Sequence, residues 1–300
     1  METAVRICKR FHSYLRMGSY TGKVHSVLEN TLNIATPFGI VTLQAAGSTL
    51  QPFSCVVGAM KPFSQLGIKE GDGVVLEDEL INVTTTGFCV DVSQAQDVEL
   101  SVDALTNIFI PLDLPIRLRH LYRVIELNSD NDDLSALIVE GKDKNRCCEQ
   151  VAGKLDAFSN AVNEQEMDKA CAAAVLVSGF GQGYMPASDD MLCGYLDGYS
   201  ALSHALGRKR ERVLSQTQQI AWEIAQHTNE ISAAFLLKCG EGLLSEDMFQ
   251  LMRSLFSDMP YTTLNANAVR VARSYGGSGI DILVGVYLAI DRHYSNKLTD

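Results

Sequence analysis

The 300-residue chain carries 36 acidic against 25 basic side chains, a formal charge of −11 and a pI near 5.0. That balance excludes a face basic enough to track a nucleic-acid backbone. The longest apolar runs, such as 279–290, fall short of the about 20 residues that span a bilayer, so no membrane partner is expected.

The first elements are legible from composition alone. Residues Ala4 to Met17 are basic, helix-compatible and without a long apolar run, and read as a first helix belonging to the fold. From residue 21 to about 110, short runs rich in Val, Ile, Thr and Phe (KVHSVLE, LNIAT, GIVTLQA, SCVVGAM, GVVLEDELINV, GFCVDV) alternate with turn residues. They predict a small antiparallel sheet or barrel. His25 and the run Thr84 to Thr86 read as strand or turn residues, and nothing in this part looks catalytic. The eight cysteines form no C-x-x-C pair and the six histidines no zinc spacing. Reduced thiols, a cytoplasmic protein and no structural zinc are expected.

Near Leu112 to Pro115 the pattern changes to helical periodicity, which divides the chain into residues 1–114 and 115–300. The fold class expected is α+β: an N-terminal antiparallel β-rich, barrel-like domain followed by a mostly helical one. IRLRHLYRVIEL predicts a helix, and Asn128 to Asp133 a boundary or flexible excursion. Helices are expected over 146–162 and from Glu166 into Val177. The alternative of a buried strand over Ala172 to Ser178, leading into a dinucleotide-binding turn, conflicts with the G-x-G-x-G spacing and the absence of later β-α alternation.

The stretch 179–198, GFGQGYMPASDDMLCGYLDG, is the most informative in the chain. Gly179, Gly181 and Gly183 allow positive φ and close backbone approach, and Pro186 blocks helical continuation. A helix can start at Ser188, whose hydroxyl is placed to cap it, with Asp189 and Asp190 in the first turn. A glycine loop that opens a helix can bind an anion. Two carboxylates at the same end would repel a bare anion unless Mg²⁺ or a ligand ammonium or amide lay between them.

Residues 276–290, GGSGIDILVGVYLAI, repeat the pattern D-x-L-x-G: Asp190 superposes on Asp281, Leu192 on Leu283 and Gly194 on Gly285. Ser278 and Asp281 have the spacing of a capping-box variant. Gly194, Gly198 and Gly285 read as a device that lets two helices approach closely. Between the copies, RKRER (208–212) reads as a solvated helix start. One helix is expected from the stripe Val213, Thr217, Ile220, Ile224, Ile231 and Phe235, with Thr228 and Ser232 near the same face and bonded back to their own helix. Two further short helices are expected over 248–256 and 266–275.

Taken together, GFGQGYMPASDDMLCG and YGGSGIDILVG resemble the two motifs of the AllH family, associated with oxamate carbamoyltransferase in purine (allantoin) catabolism. Ser232 through Gly240 and the strand FGIVTLQ resemble further family segments. The family's motif proline is replaced by Gln182, its threonine by Met185 and its serine by Ala187. In the second motif Gly276 and Gly277 replace a histidine and a threonine.

The resemblance implies carbamoyl transfer, oxalurate and phosphate giving oxamate and carbamoyl phosphate, in a complex with FdrA-like and AllG-like subunits. Asp189 and Asp190 are then the catalytic candidates, with Mg²⁺ a candidate ligand of both. Gly181, Gln182, Gly183, Ser188, Ser232, Ser278, Gly279 and Asp281 would line a substrate or anion site between the two loops. No nucleophile and no neighbouring general base is evident, which favours electrostatic catalysis or completion by a partner. A non-catalytic anion-binding or assembly subunit is the other reading.

Overall fold

A computed structural model describes residues 1–59, 61–181, 185–274 and 277–295, and groups the chain into two compact units, 1–100 and 101–300. The first is a barrel. Its strands are β1 (Glu2–Cys8), β2 (Tyr20–Val27), β3 (Thr31–Thr36), β4 (Gly39–Gln44), β5 (Ser54–Val57), β6 (Gly73–Glu77), β7 (Leu80–Val83) and β8 (Phe88–Asp91). They close in the order β1-β5-β4-β3-β2-β6-β7-β8-β1, and β9 (Gln96–Val98) adds to β1. Most neighbours are antiparallel, but β4–β5 and β1–β8 are parallel. Buried positions alternate along β3, β6 and β7, as in Leu32 and Ile34, Val74 and Leu76, and Ile81 and Val83.

Two details depart from the sequence reading. Glu2–Cys8 is strand rather than helix, and the helix α1 is confined to Lys9–Met17. The β-branched Thr3, Val5 and Ile7 suit a strand, and pairing on both edges, with β5 on one side and β8 then β9 on the other, overrides the helical preference. The run GVVLEDELINV is a hairpin: Asp78 and Glu79 take φ of 51° and 61°, a tight two-residue turn between β6 and β7.

Helix α1 supplies Phe11 to an aromatic cluster with Phe38 and Phe53, ring centroids 6.3 and 6.4 Å away. On its other side His12 is buried, Nδ1 2.7 Å from Asp97 and Nε2 2.7 Å from Glu79, while Arg16 donates to Glu79 at 2.8 Å.

The second unit holds α2 (Leu114–Asn128), α3 (Arg146–Glu164), α4 (Met167–Val177), α5 (Ala187–Ala205), α6 (Arg210–Ala225), α7 (Glu230–Gly240), α8 (Glu246–Leu255), α9 (Tyr261–Arg273) and α10 (Gly279–Ser295). No described helix is long and apolar enough to cross a membrane. Because α4 is helical to Val177, the dinucleotide-turn alternative does not arise. The single long helix expected across 213–235 is two. The chain breaks after α6, and Asn229 caps α7 by accepting from the amides of Ile231 and Ser232. Apolar spacing carried the periodicity across a turn that the cap interrupts.

At the centre lies α5, buried on every side from Ser188 to Ser203, which is why no amphipathic stripe marks it. It runs parallel to α10, and contacts rise together along the two. A Cβ on Gly194 would lie 2.0 Å from the Ile282 carbonyl oxygen, one on Gly285 1.9 Å from that of Met191, and one on Gly198 3.2 Å from Ala289. Farther along, Tyr195 Oη and His293 Nε2 are 2.6 Å apart. Burial and the nearby Arg208 and Arg292 hold the His293 imidazole down at about 3, so it packs as a neutral ring.

Candidate functional site

Two parallel helices bring their N-terminal ends to one place, and each opens on an aspartate of the repeated motif. The approach to α5 is built by the glycine loop. Gly179 and Gly181 have φ of +80° and +120°, and a Cβ on Gly181 would lie 2.5 Å from the Ala187 nitrogen. The helix starts at Ala187, after Pro186 and without a side-chain cap. Ser188 does not cap it. Its hydroxyl accepts from the Phe180 amide at 2.8 Å, and its own amide donates to the Phe180 carbonyl at 2.9 Å. The serine is one residue too far into the helix to reach the free amides, and it ties the loop down instead.

Asp189 is fully buried and serves the same loop. Oδ1 accepts from the Gly179 amide at 2.7 Å and Oδ2 from the Thr228 hydroxyl. Thr228 therefore bonds across to the loop rather than back to its own helix, as it sits in the turn before α7 where no preceding carbonyl competes. With the Gly179 and Phe180 amides used internally, neither is a bare donor for a ligand.

Asp190 is also buried, and Oδ2 has no hydrogen-bond partner. Burial raises its carboxyl to about 7, a hydrogen bond with Ser278 opposing the rise and the Asp189 charge adding to it. Asp281, from α10, is raised by burial to about 8, against the effect of the Leu134 amide, which donates to Oδ1 at 2.7 Å, and with the help of Asp190. Ser278 and Asp281 thus engage Asp190 and Leu134, not a reciprocal capping box. Both acids hold protons into the neutral range.

The Leu134 amide belongs to the polar loop after α2, which is tightly organised rather than a flexible excursion. Asp133 accepts from the amides of Asp130 and Ser135 at 2.6 and 2.9 Å, Asn145 donates to its carbonyl at 2.8 Å, and Lys142 lies 3.3 Å from its carboxylate. Cys147, at the start of α3, has its thiol raised to about 11, by burial first, then by the neighbouring Cys148 and by the charges of Asp281 and Asp189. It is not a thiolate nucleophile at neutral pH.

The remaining candidates are distributed as follows. Ser232 lies in α7 with its Oγ buried and unpartnered. Gly279 is pressed onto α9, where a Cβ would lie 2.1 Å from the Val271 carbonyl oxygen. Gln182 and Gly183 fall outside the described residues.

For Mg²⁺ the donor set is thin: both oxygens of Asp189 already accept hydrogen bonds. Among the described residues no group of three or more His, Cys, Asp or Glu is arranged to hold a metal.

Sequence reasoning missed the Leu134 amide and Cys147, which share no motif with the aspartates. It also left every histidine distant. The fold brings His227 to the loop, its carbonyl oxygen 4.0 Å from where a Gly179 Cβ would stand, with its side chain exposed.

Compared with known families, residues 3–97 match the AllH family N-terminal domain and residues 177–290 match oxamate carbamoyltransferase subunit AllH. No curated protein and no solved structure matches the chain.

Proposed function

Since the chain belongs to the AllH family of oxamate carbamoyltransferase subunits, we propose that it supplies the carbamoyl-binding pocket of such a transferase, between the two motif loops. The supporting observation is the unpartnered Asp190 Oδ2, buried beside Asp281 where α5 and α10 begin. A buried carboxyl oxygen with nothing to bond costs roughly 1–3 kcal/mol, which a ligand N–H would recover.

The reaction is transfer between oxalurate plus phosphate and oxamate plus carbamoyl phosphate. A phosphate oxygen attacks the carbamoyl carbon, the bond from that carbon to the oxamate nitrogen breaks, and the nitrogen takes up a proton. A carboxyl raised to about 7 is matched to giving that proton near neutral pH, and while protonated it can still accept the carbamoyl N–H on an oxygen lone pair. Asp281 holds the pair's second proton and Asp189 positions the loop. The backbone amides of Gly181, Gln182 and Gly183 are the proposed donors to the developing oxyanion.

FdrA-like and AllG-like subunits complete the assembly, in the cytoplasm and within allantoin degradation. Eight free cysteines fit a reducing compartment.

Kinetics of the reconstituted complex test this. Asp190→Asn is expected to lower kcat by about 10²–10⁴ with little change in KM. Unchanged turnover would remove Asp190 from the chemistry. It would favour the second reading, a non-catalytic anion-binding or assembly subunit, to which the loss of loop hydroxyls at Met185 and Ala187 points.

A further inference from the structure

Roughly 20 Å along α5 from Asp190, at that helix's other end, a half-open cleft of about 40 Å³ is lined by Ser200, His204, Arg208, Arg210 and Thr217, with Val102 and Val213 among its apolar walls. It shares no residue with the motif site. Its charge is unevenly matched. Arg210 is ion-paired with Asp103, whereas Arg208, half-buried, donates to the Ser203 hydroxyl at 3.2 Å and stands 5.8 Å over the Tyr199 ring. Among the described residues no carboxylate is within ion-pair distance of Arg208.

Four of the five residues of RKRER carry positive charge ahead of or at the first turn of α6, the end where the helix dipole already disfavours cations. Only Glu211 offsets it in that turn. Glu241 also lines the cleft and sets one acidic wall. The basic cluster that reads in sequence as a solvated helix start therefore presents a guanidinium held by stacking and one hydroxyl bond, with donor capacity left over, to a half-open, largely apolar cleft.

We propose that this cleft binds a small oxyanion, a carboxylate or a phosphate, with Arg208 as its charged ligand and the Ser200 hydroxyl beside it. The site is independent of the carbamoyl pocket and stands or falls separately from it.

The test is arginine modification by phenylglyoxal on the full chain, mapped by mass spectrometry, with inorganic phosphate or oxamate present, in the wild type and in Asp190→Asn. Either anion is expected to slow modification of Arg208 about tenfold in both proteins. Protection by oxamate alone identifies an amide carboxylate, and protection by both identifies a general oxyanion. Calorimetry of Arg208→Gln is expected to show the corresponding heat weakened at least about tenfold, its melting temperature certifying the fold. Equal modification rates with and without both anions overturn the proposal. So does protection that disappears in Asp190→Asn, since the anion would then occupy the motif site. Should Arg208→Gln fail to fold, the wild-type protection pattern decides alone.

Discussion

In the barrel, His12 is as buried as any group in the helical unit, yet each ring nitrogen meets a carboxylate at 2.7 Å and Arg16 backs one of them. In the helical unit, Asp190, Asp197 and Asp281 are comparably buried, and among the described residues none is ion-paired; Asp190 and Asp197 each leave an oxygen unbonded. A buried titratable group is thus compensated locally in the barrel, as Asp133 is by Lys142 in the helical unit, and left standing along α5 and α10. A fold does not accumulate uncompensated acids along one central helix for the sake of stability. Their position at and along α5 marks the part of the molecule shaped by something other than packing.

The largest effect that bears on this contrast comes from the crossing that holds the acids in place. Gly285→Val would drive a side chain into the Met191 carbonyl and is expected to cost about 4 kcal/mol or more. Thermal unfolding should show the helical unit lost while the barrel's far-ultraviolet signal persists. A fully folded Gly285→Val would mean that the two helices can separate, and the acids with them.

Next in size is a pH dependence of opposite sign in the two units. Asp190 and Asp281 sit at about 7 and about 8, above their ordinary 3.8, so the folded helical unit keeps protons that the unfolded chain releases. Its stability is greatest near pH 4 and falls as pH rises to about 8, on the order of 4 kcal/mol for the smaller of the two shifts. Glu79 in the barrel is held below its ordinary 4.5, chiefly by its hydrogen bond to Arg16. Its contribution is complete above that value and is lost on acidification. Hydrogen exchange by mass spectrometry at pH 4 and pH 8 should therefore show α5 and α10 amides less protected at the higher pH. The strands around Glu79 should move the other way, and a common direction in both units would contradict the contrast.

The smallest effect lies in the barrel. His12→Leu removes both imidazole bonds and leaves Glu79 and Asp97 to Arg16, at a cost of about 1 kcal/mol because both carboxylates reach solvent. Denaturant unfolding checks it. A loss as large as that at Gly285 would show the cluster to be a keystone of the barrel.

Much of this architecture was legible in residues. Alternating β-branched runs exposed most of the barrel strands, and the repeated D-x-L-x-G placed two helix starts and the glycines that pack them. What escaped was long-range. Glu2–Cys8 looks helical until β5, β8 and β9 are there to pair with it. The stripe from Val213 to Phe235 looks continuous until Asn229 caps a new helix. At the site the aspartates could be named, but not their different situations. Asp189 is consumed by Gly179 and Thr228, while Asp190 is left open, and adjacent letters cannot show which way each side chain turns. The Leu134 amide carries no side-chain signature at all, so its role toward Asp281 appears only once 147 residues of chain have folded back.

The glycine crossing also acts as a fixed gauge. With Gly194 and Gly285 seated against opposing carbonyls, the spacing of Asp190 and Asp281 is set by backbone on backbone, beyond the reach of the loop side chains. Loop composition can then vary without moving the two acids relative to each other. The same property makes the pair a mounting on which foreign loops can be exchanged, each graft inheriting an acid separation that it did not have to specify.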